Sequence, residues 1–128
     1  MPLQIYLIED EGATRQALAD LLQEIADVQI VGFAENEVHA IHWLSTHDSA
    51  WDLAVVDLHL KMGSGMAALR WCATRRPHQK VVVLSSLPSD EARAQCLALG
   101  ADRVFDKTEG LDKLLVFCQD LSGATLVR

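Results

Sequence analysis

Trp51-Asp52-Leu53-Ala54-Val55-Val56-Asp57, followed by Leu58-His59-Leu60, is the segment around which the rest of the chain is organised. Leu53 to Val56 is a short continuous apolar run, the pattern of a strand covered on both faces. Asp57 ends it, and a carboxylate at the C-terminal end of a buried parallel strand lies where open α/β sheets place their chemistry. The loop Lys61-Met62-Gly63-Ser64-Gly65 that follows is too polar and flexible to be core. Taken alone, Asp57 is more often a helix cap or a solvated strand end than a reactive group. The reading therefore depends on what else converges on it.

The elements on either side alternate. Leu3 to Ile8 is an apolar strand ending in Glu9-Asp10-Glu11, and Gly12 to Ala26 has helical periodicity, with Leu18, Leu21, Leu22 and Ile25 inward and Arg15 among the residues facing water. Val28 to Ala34 is a second strand; Asn36 caps a helix through about Thr46, with Val38, Ile41 and Leu44 inward and Trp43 flanking. After the Asp57 strand, Ser64 opens a helix to Arg76 that Pro77 stops. Lys80 to Ser86 is the fourth strand. Pro88-Ser89-Asp90-Glu91 starts a helix that Gly100 ends, Arg103 to Lys107 is a short fifth strand, and Gly110 to Ser122 is the last helix. Five strands alternating with five helices predict an α/β fold: a doubly wound parallel sheet with right-handed crossovers, in the flavodoxin-like order 2-1-3-4-5. One domain over residues 1–128 is expected, with its core at about 3–122 and a short tail at 123–128.

Bulk properties narrow the function classes. The net charge of −7 argues against a nucleic-acid surface. No apolar run approaches the ~20 residues of a membrane span, and no basic region precedes an apolar one at the N-terminus. Cys72, Cys96 and Cys118 are odd in number, widely spaced and set among apolar neighbours, so buried thiols in a reducing cytoplasm are expected, with little support for a disulfide or a zinc site. His39, His42 and His47 belong to a helix face and its end, and His59 is expected to be exposed. Trp51 and Trp71 read as packing residues.

The C-terminal ends of the strands offer Glu9 and Asp10, then Asp57, then Ser85 and Ser86, then Lys107. In a parallel sheet these ends share one edge. Clustered carboxylates repel unless a cation sits among them, and oxygen ligands that leave room for water suit Mg²⁺. Lys107 and the Ser85 hydroxyl can bind transferred oxygens, and aspartate is a competent nucleophile toward phosphorus.

This ordered set resembles the receiver domain of two-component response regulators, the CheY-like family, over essentially the whole chain. The motifs are Ile8-Glu9-Asp10-Glu11, Val55-Val56-Asp57-Leu58-His59-Leu60 with Ser64-Gly65, Val83-Leu84-Ser85-Ser86, and Gly100-Ala101-Asp102 with Phe105-Asp106-Lys107. The resemblance implies a phosphoprotein in which Asp57 is the phosphoacceptor. Asp10, Asp57 and the His59 backbone carbonyl would ligate Mg²⁺, and Glu9 would hold metal-bound water. Ser85 would be the switch hydroxyl, and Lys107 would pair with the phosphoryl group. It implies a histidine kinase or histidine phosphotransfer protein as donor, and a downstream protein or separate output domain as recipient. It also allows a homodimer through the helix 4–strand 5–helix 5 face. No catalysis beyond the domain's own phosphotransfer and dephosphorylation is implied.

The chain departs from the pattern at four places. Lys61 and Met62 replace a proline and a glycine after the acceptor. Thr108 replaces the proline after the lysine, which puts the cis peptide bond often found there in question. Val104 occupies the aromatic switch position, and the adjacent Phe105 points to the other face. Leu87 should flank the approach of hydrolytic water without orienting it. The main rival reading is a pseudo-receiver, a binding module of the same fold without phosphotransfer; Asp10, Asp57, Ser85 and Lys107 together count against it. Glu9-Asp10-Glu11 would repel the cofactor phosphate of a flavodoxin, and the Asp-x-Asp of a haloacid-dehalogenase-type phosphatase is not visible.

Overall fold

A computed structural model describes residues 2–25, 27–60, 62–86 and 88–123. Its strands are β1 (Leu3–Ile8), β2 (Val28–Ala34), β3 (Leu53–Asp57), β4 (Lys80–Ser85) and β5 (Arg103–Asp106). Its helices are α1 (Gly12–Gln23), α2 (Glu37–Thr46), α3 (Gly65–Trp71), α4 (Asp90–Ala98) and α5 (Leu111–Ser122), with a 3-10 turn at Cys72–Thr74. The strands form one parallel sheet in the order β2-β1-β3-β4-β5, as expected.

Strand alternation divides the core between two layers. Tyr6, Ile8, Ala54, Val56, Val81 and Val83 face one side, against Ala40 and Leu44 of α2, Ala68 and Leu69 of α3 and Cys96 of α4. Ile5, Leu7, Leu53, Val55, Val82, Leu84 and Phe105 face the other, against Leu18 and Leu22 of α1 and Leu114 and Cys118 of α5. Covering on both faces explains why β3 and β4 read as unbroken apolar runs. All three cysteines are buried and free.

Local chemistry sets the helix starts. The side chains of Asn36, Ser64 and Ser89 accept hydrogen bonds from the backbone N–H of His39, Met66 and Ala92, each such cap contributing about 1 kcal/mol. Gly100 terminates α4 at φ +108°, a conformation that a side chain would strain.

Several expectations need correction. α1 ends at Gln23 because Ile25 turns back to the Leu22 carbonyl and Asp27 takes φ +60°, so that its carbonyl receives Leu3 N–H and starts β2 beside β1. Ala26 lies outside the described residues. The third helix stops at Trp71 and tightens into the 3-10 turn, not reaching Arg76. Arg75 is already extended ahead of Arg76-Pro77, and its guanidinium folds back on Cys72 O, Gln79 O, Gly100 O and the Asp102 carboxylate. Val38 is 72% exposed, because the buried stripe of α2 runs through Ala40 and Leu44. Trp51 is buried, but Trp71 is 48% exposed. β4 and β5 each end one residue early, at Ser85 and Asp106. Lys61, Leu87 and the tail beyond Gly123 lie outside the described residues, with the roles expected of them. Among the described residues there is no cis peptide bond.

Candidate functional site

Parallel register brings four strand ends to one edge. Ile8 pairs with Val56, Asp57 with Leu84 and Ser85 with Asp106, so Glu9-Asp10, Asp57, Ser85 and Lys107 follow one another across the sheet. Glu9, Asp57 and Ser85 are buried, Asp10 and Lys107 are half-buried, and His59 is exposed. One carboxylate oxygen from each of Glu9, Asp10 and Asp57 lies within 4.8 Å of the others.

Asp57 is held through both oxygens. Its Oδ1 accepts from the His59 N–H at 3.0 Å, and its Oδ2 accepts from Lys107 Nζ at 3.1 Å. Lys107 Nζ also donates to Glu9 Oε1, so one ammonium bridges two of the three carboxylates. Its backbone N–H is fixed by Ser85 O at 3.0 Å, which sets the side chain at the end of β5. The turn behind it is closed by Asp106 Oδ1, which accepts from Thr108 N and Oγ1 at 2.8 Å each.

Burial raises the Glu9 carboxyl to about 7, with Asp57 adding to the rise and Lys107 offsetting part of it. For Lys107, burial pulls the ammonium down, but its bonds to Glu9 and Asp57 outweigh that and hold it above its ordinary range. Lys107 bridges Glu9 and Asp57, and the three carboxylates together present a cluster of oxygen donors at one edge of the sheet. A hard divalent cation fits that donor set.

The supporting roles of two residues escaped the sequence reading. Arg15, expected to face water, is 16% exposed in its side chain. Its guanidinium donates to Glu9 O at 3.0 Å, pairs with Glu35 at 3.3 Å and lies 4.0 Å over the Phe33 ring, anchoring the acidic loop to the end of β2. Helical periodicity could not show this, since the carbonyl lies in the loop after β1 and the ring belongs to β2. Gly65 starts α3 so close to β3 that a Cβ there would lie 2.1 Å from Asp57 O. The Ser64-Gly65 pair after the acidic strand was the available signal. On Ser64, the Met66 N–H finds its acceptor at 3.1 Å.

A family model described as the response regulator receiver domain matches residues 5–119. Among curated proteins, the chain is similar to a protein-glutamate methylesterase/protein-glutamine glutaminase of Leptospira interrogans, 29% identical over 88% of this chain and 33% of that protein. It is also similar to the DNA-binding transcriptional activator DevR/DosR of Mycobacterium tuberculosis, 29% identical over 77% of this chain and 45% of that protein. The chain thus spans a third to somewhat under half of these relatives. Among solved structures, the response regulator domain of Thermotoga maritima CheB aligns with TM-score 0.80 at 20% identity, covering 98% of this chain and 99% of that one. A chain of the CheX-CheY-BeF3-Mg²⁺ complex of Borrelia burgdorferi aligns with TM-score 0.83 at 18% identity, covering 94% of this chain and 90% of that one.

Proposed function

The chain belongs to the response regulator receiver family of two-component systems, and on that premise we propose that it signals by accepting a phosphoryl group on Asp57. The observation that carries the proposal is the constellation at the sheet edge: a buried aspartate held by the His59 N–H and the Lys107 ammonium, beside two further carboxylates. Phosphoryl transfer needs positioning and charge neutralisation more than covalent help from the protein.

In the proposed reaction a carboxylate oxygen of Asp57 attacks phosphorus, the P–N bond of a phosphohistidine breaks, and the imidazole leaves with that electron pair. The donor is a histidine kinase or a histidine phosphotransfer protein. Lys107 exchanges a carboxylate oxygen for a phosphoryl oxygen, and the Ser85 hydroxyl takes another. Asp10, Asp57 and the His59 carbonyl would hold Mg²⁺, with Glu9 reaching it through water. Bound there, the ion neutralises charge between the attacking carboxylate and the incoming phosphoryl group.

The acyl phosphate then biases the surface toward a downstream protein or an output domain. A homodimer through the face of α4, β5 and α5 is one form that output can take. The reading places the domain in the cytoplasm, engages no nucleic acid directly, and assigns no reaction beyond its own phosphorylation and dephosphorylation. No helix among the described residues is long and apolar enough to cross a membrane.

The test is incubation with a small phosphodonor and Mg²⁺. An acid-stable, base-labile label that disappears in Asp57→Asn supports the proposal. Label that survives Asp57→Asn, or that needs no divalent metal, refutes it.

A further inference from the structure

The two ends of α4 are held differently. Beyond its C-terminus, Arg75 Nη2 donates to Gly100 O and to Asp102 Oδ2, each at 2.8 Å, while Asp102 Oδ2 also accepts from Val81 N. Asp102 N donates to Val81 O at 2.7 Å, and Ala101 is buried. This end is bolted to the sheet. Within the helix, Cys96 is the residue that is fully buried.

Nearer the N-terminus, Arg93 Nη1 donates to the Val104 carbonyl at 3.0 Å. β5 is the last strand of the sheet, so this bond ties α4 to an edge strand. Asp106 lies two residues further along the same strand. Its carboxyl is held below the ordinary range first by the Thr108 hydrogen bonds and, to a smaller degree, by the Arg93 charge.

We propose that Arg93 is a latch: its bond to the Val104 carbonyl holds the first half of α4 against β5 at rest, and a phosphoryl group on Asp57 acts on α4 by opening it. The proposal rests on the phosphoacceptor reading above. Residues 86–89 connect Ser85 at the site directly to the start of α4. With Gly100 as the fixed point, Arg93 sits about 10 Å along the helix and Asp90 about 15 Å. A shift of about 1 Å at Asp90 becomes about 0.7 Å at Arg93, and a 3.0 Å bond stretched by that amount leaves hydrogen-bonding range. Val104 is stiff at its one χ angle, so the signal passes through the main-chain carbonyl of this residue and not through its side chain.

The test uses Arg93→Met, which keeps the aliphatic stem and removes the guanidinium, beside Arg93→Lys, amide NMR and hydrogen exchange. In metal-free Arg93→Met, amides of residues 89–95 should exchange faster and shift toward their positions in the wild-type beryllofluoride complex, while residues 96–102 stay put. Because the latch closes the resting state alone, beryllofluoride with Mg²⁺ should bind the variant about three- to tenfold more tightly. Arg93→Lys should lie between the two. Unchanged exchange and unchanged affinity in Arg93→Met overturn the latch, as do shifts spread evenly through residue 102. Wild-type protein that takes no beryllofluoride in Mg²⁺ overturns the phosphoacceptor reading instead. Exchange in the free variants then decides separately whether Arg93 tethers α4.

Discussion

Replacing Lys107 with methionine removes one ammonium and keeps most of the stem, so it isolates the charge that bridges Glu9 and Asp57. At 3.1 Å from Asp57 Oδ2, and with an effective dielectric constant of about 20, the bare attraction is about 5 kcal/mol. Two effects reduce it. The ammonium gives up hydration to sit there, with 23% of its side chain still exposed. Glu9 already titrates near neutrality and can take a proton when its partner is lost. The net destabilisation of metal-free Lys107→Met should therefore be about 1–3 kcal/mol at pH 7, smaller at pH 6 and larger at pH 8. Mg²⁺ should move the other way, binding about tenfold more tightly because no resident cation competes for Glu9 and Asp57. Urea unfolding with and without Mg²⁺, at those three pH values, reads both quantities. A variant as stable as the wild type without metal, with unchanged Mg²⁺ affinity, would show that Lys107 does not balance the acidic cluster.

Three further outcomes follow from the geometry. Arg75→Ala loses the bonds to Cys72 O, Gln79 O, Gly100 O and Asp102, and should cost about 3 kcal/mol in urea unfolding. Gly65→Ala places a Cβ against Asp57 O and Leu58 Cα, backbone that cannot swing away, and should cost about 2–4 kcal/mol in the same assay while weakening Mg²⁺ binding. The raised Glu9 carboxyl contributes stability that is present below its ordinary value of 4.5 and is lost as pH rises through about 7, so metal-free stability should fall across that window. Mg²⁺ affinity should rise by up to about tenfold from pH 6 to pH 8 in calorimetric titration, and Glu9→Gln should flatten both profiles.

The strands and the sheet order were legible because burial on both faces leaves unbroken apolar runs in β3 and β4. Caps at Asn36, Ser64 and Ser89 were legible too, since each bonds its own first turn. The ends of α1 and α3 were not. One is set by the left-handed turn at Asp27, the other by the Arg75 side chain reaching residues as distant as Asp102. At the site, strand-end chemistry identified which groups share an edge. That Lys107 bridges Glu9 as well as Asp57, and that Arg15 anchors the Glu9 carbonyl, depends on distances between residues far apart in the chain. Val38 misled because hydrophobicity in the first turn of α2 does not say whether that turn lies over the sheet or beyond it.

Phosphorylation at Asp57 is read directly from the position of the acyl phosphate. After reaction with a small phosphodonor in Mg²⁺, borohydride reduction converts a phosphorylated aspartate to homoserine, and peptide mass spectrometry locates it. Homoserine should appear at residue 57 and be absent when Mg²⁺ is removed. Reduction at Asp10 or elsewhere in place of residue 57, or none at all in the presence of Mg²⁺, would contradict phosphorylation at Asp57.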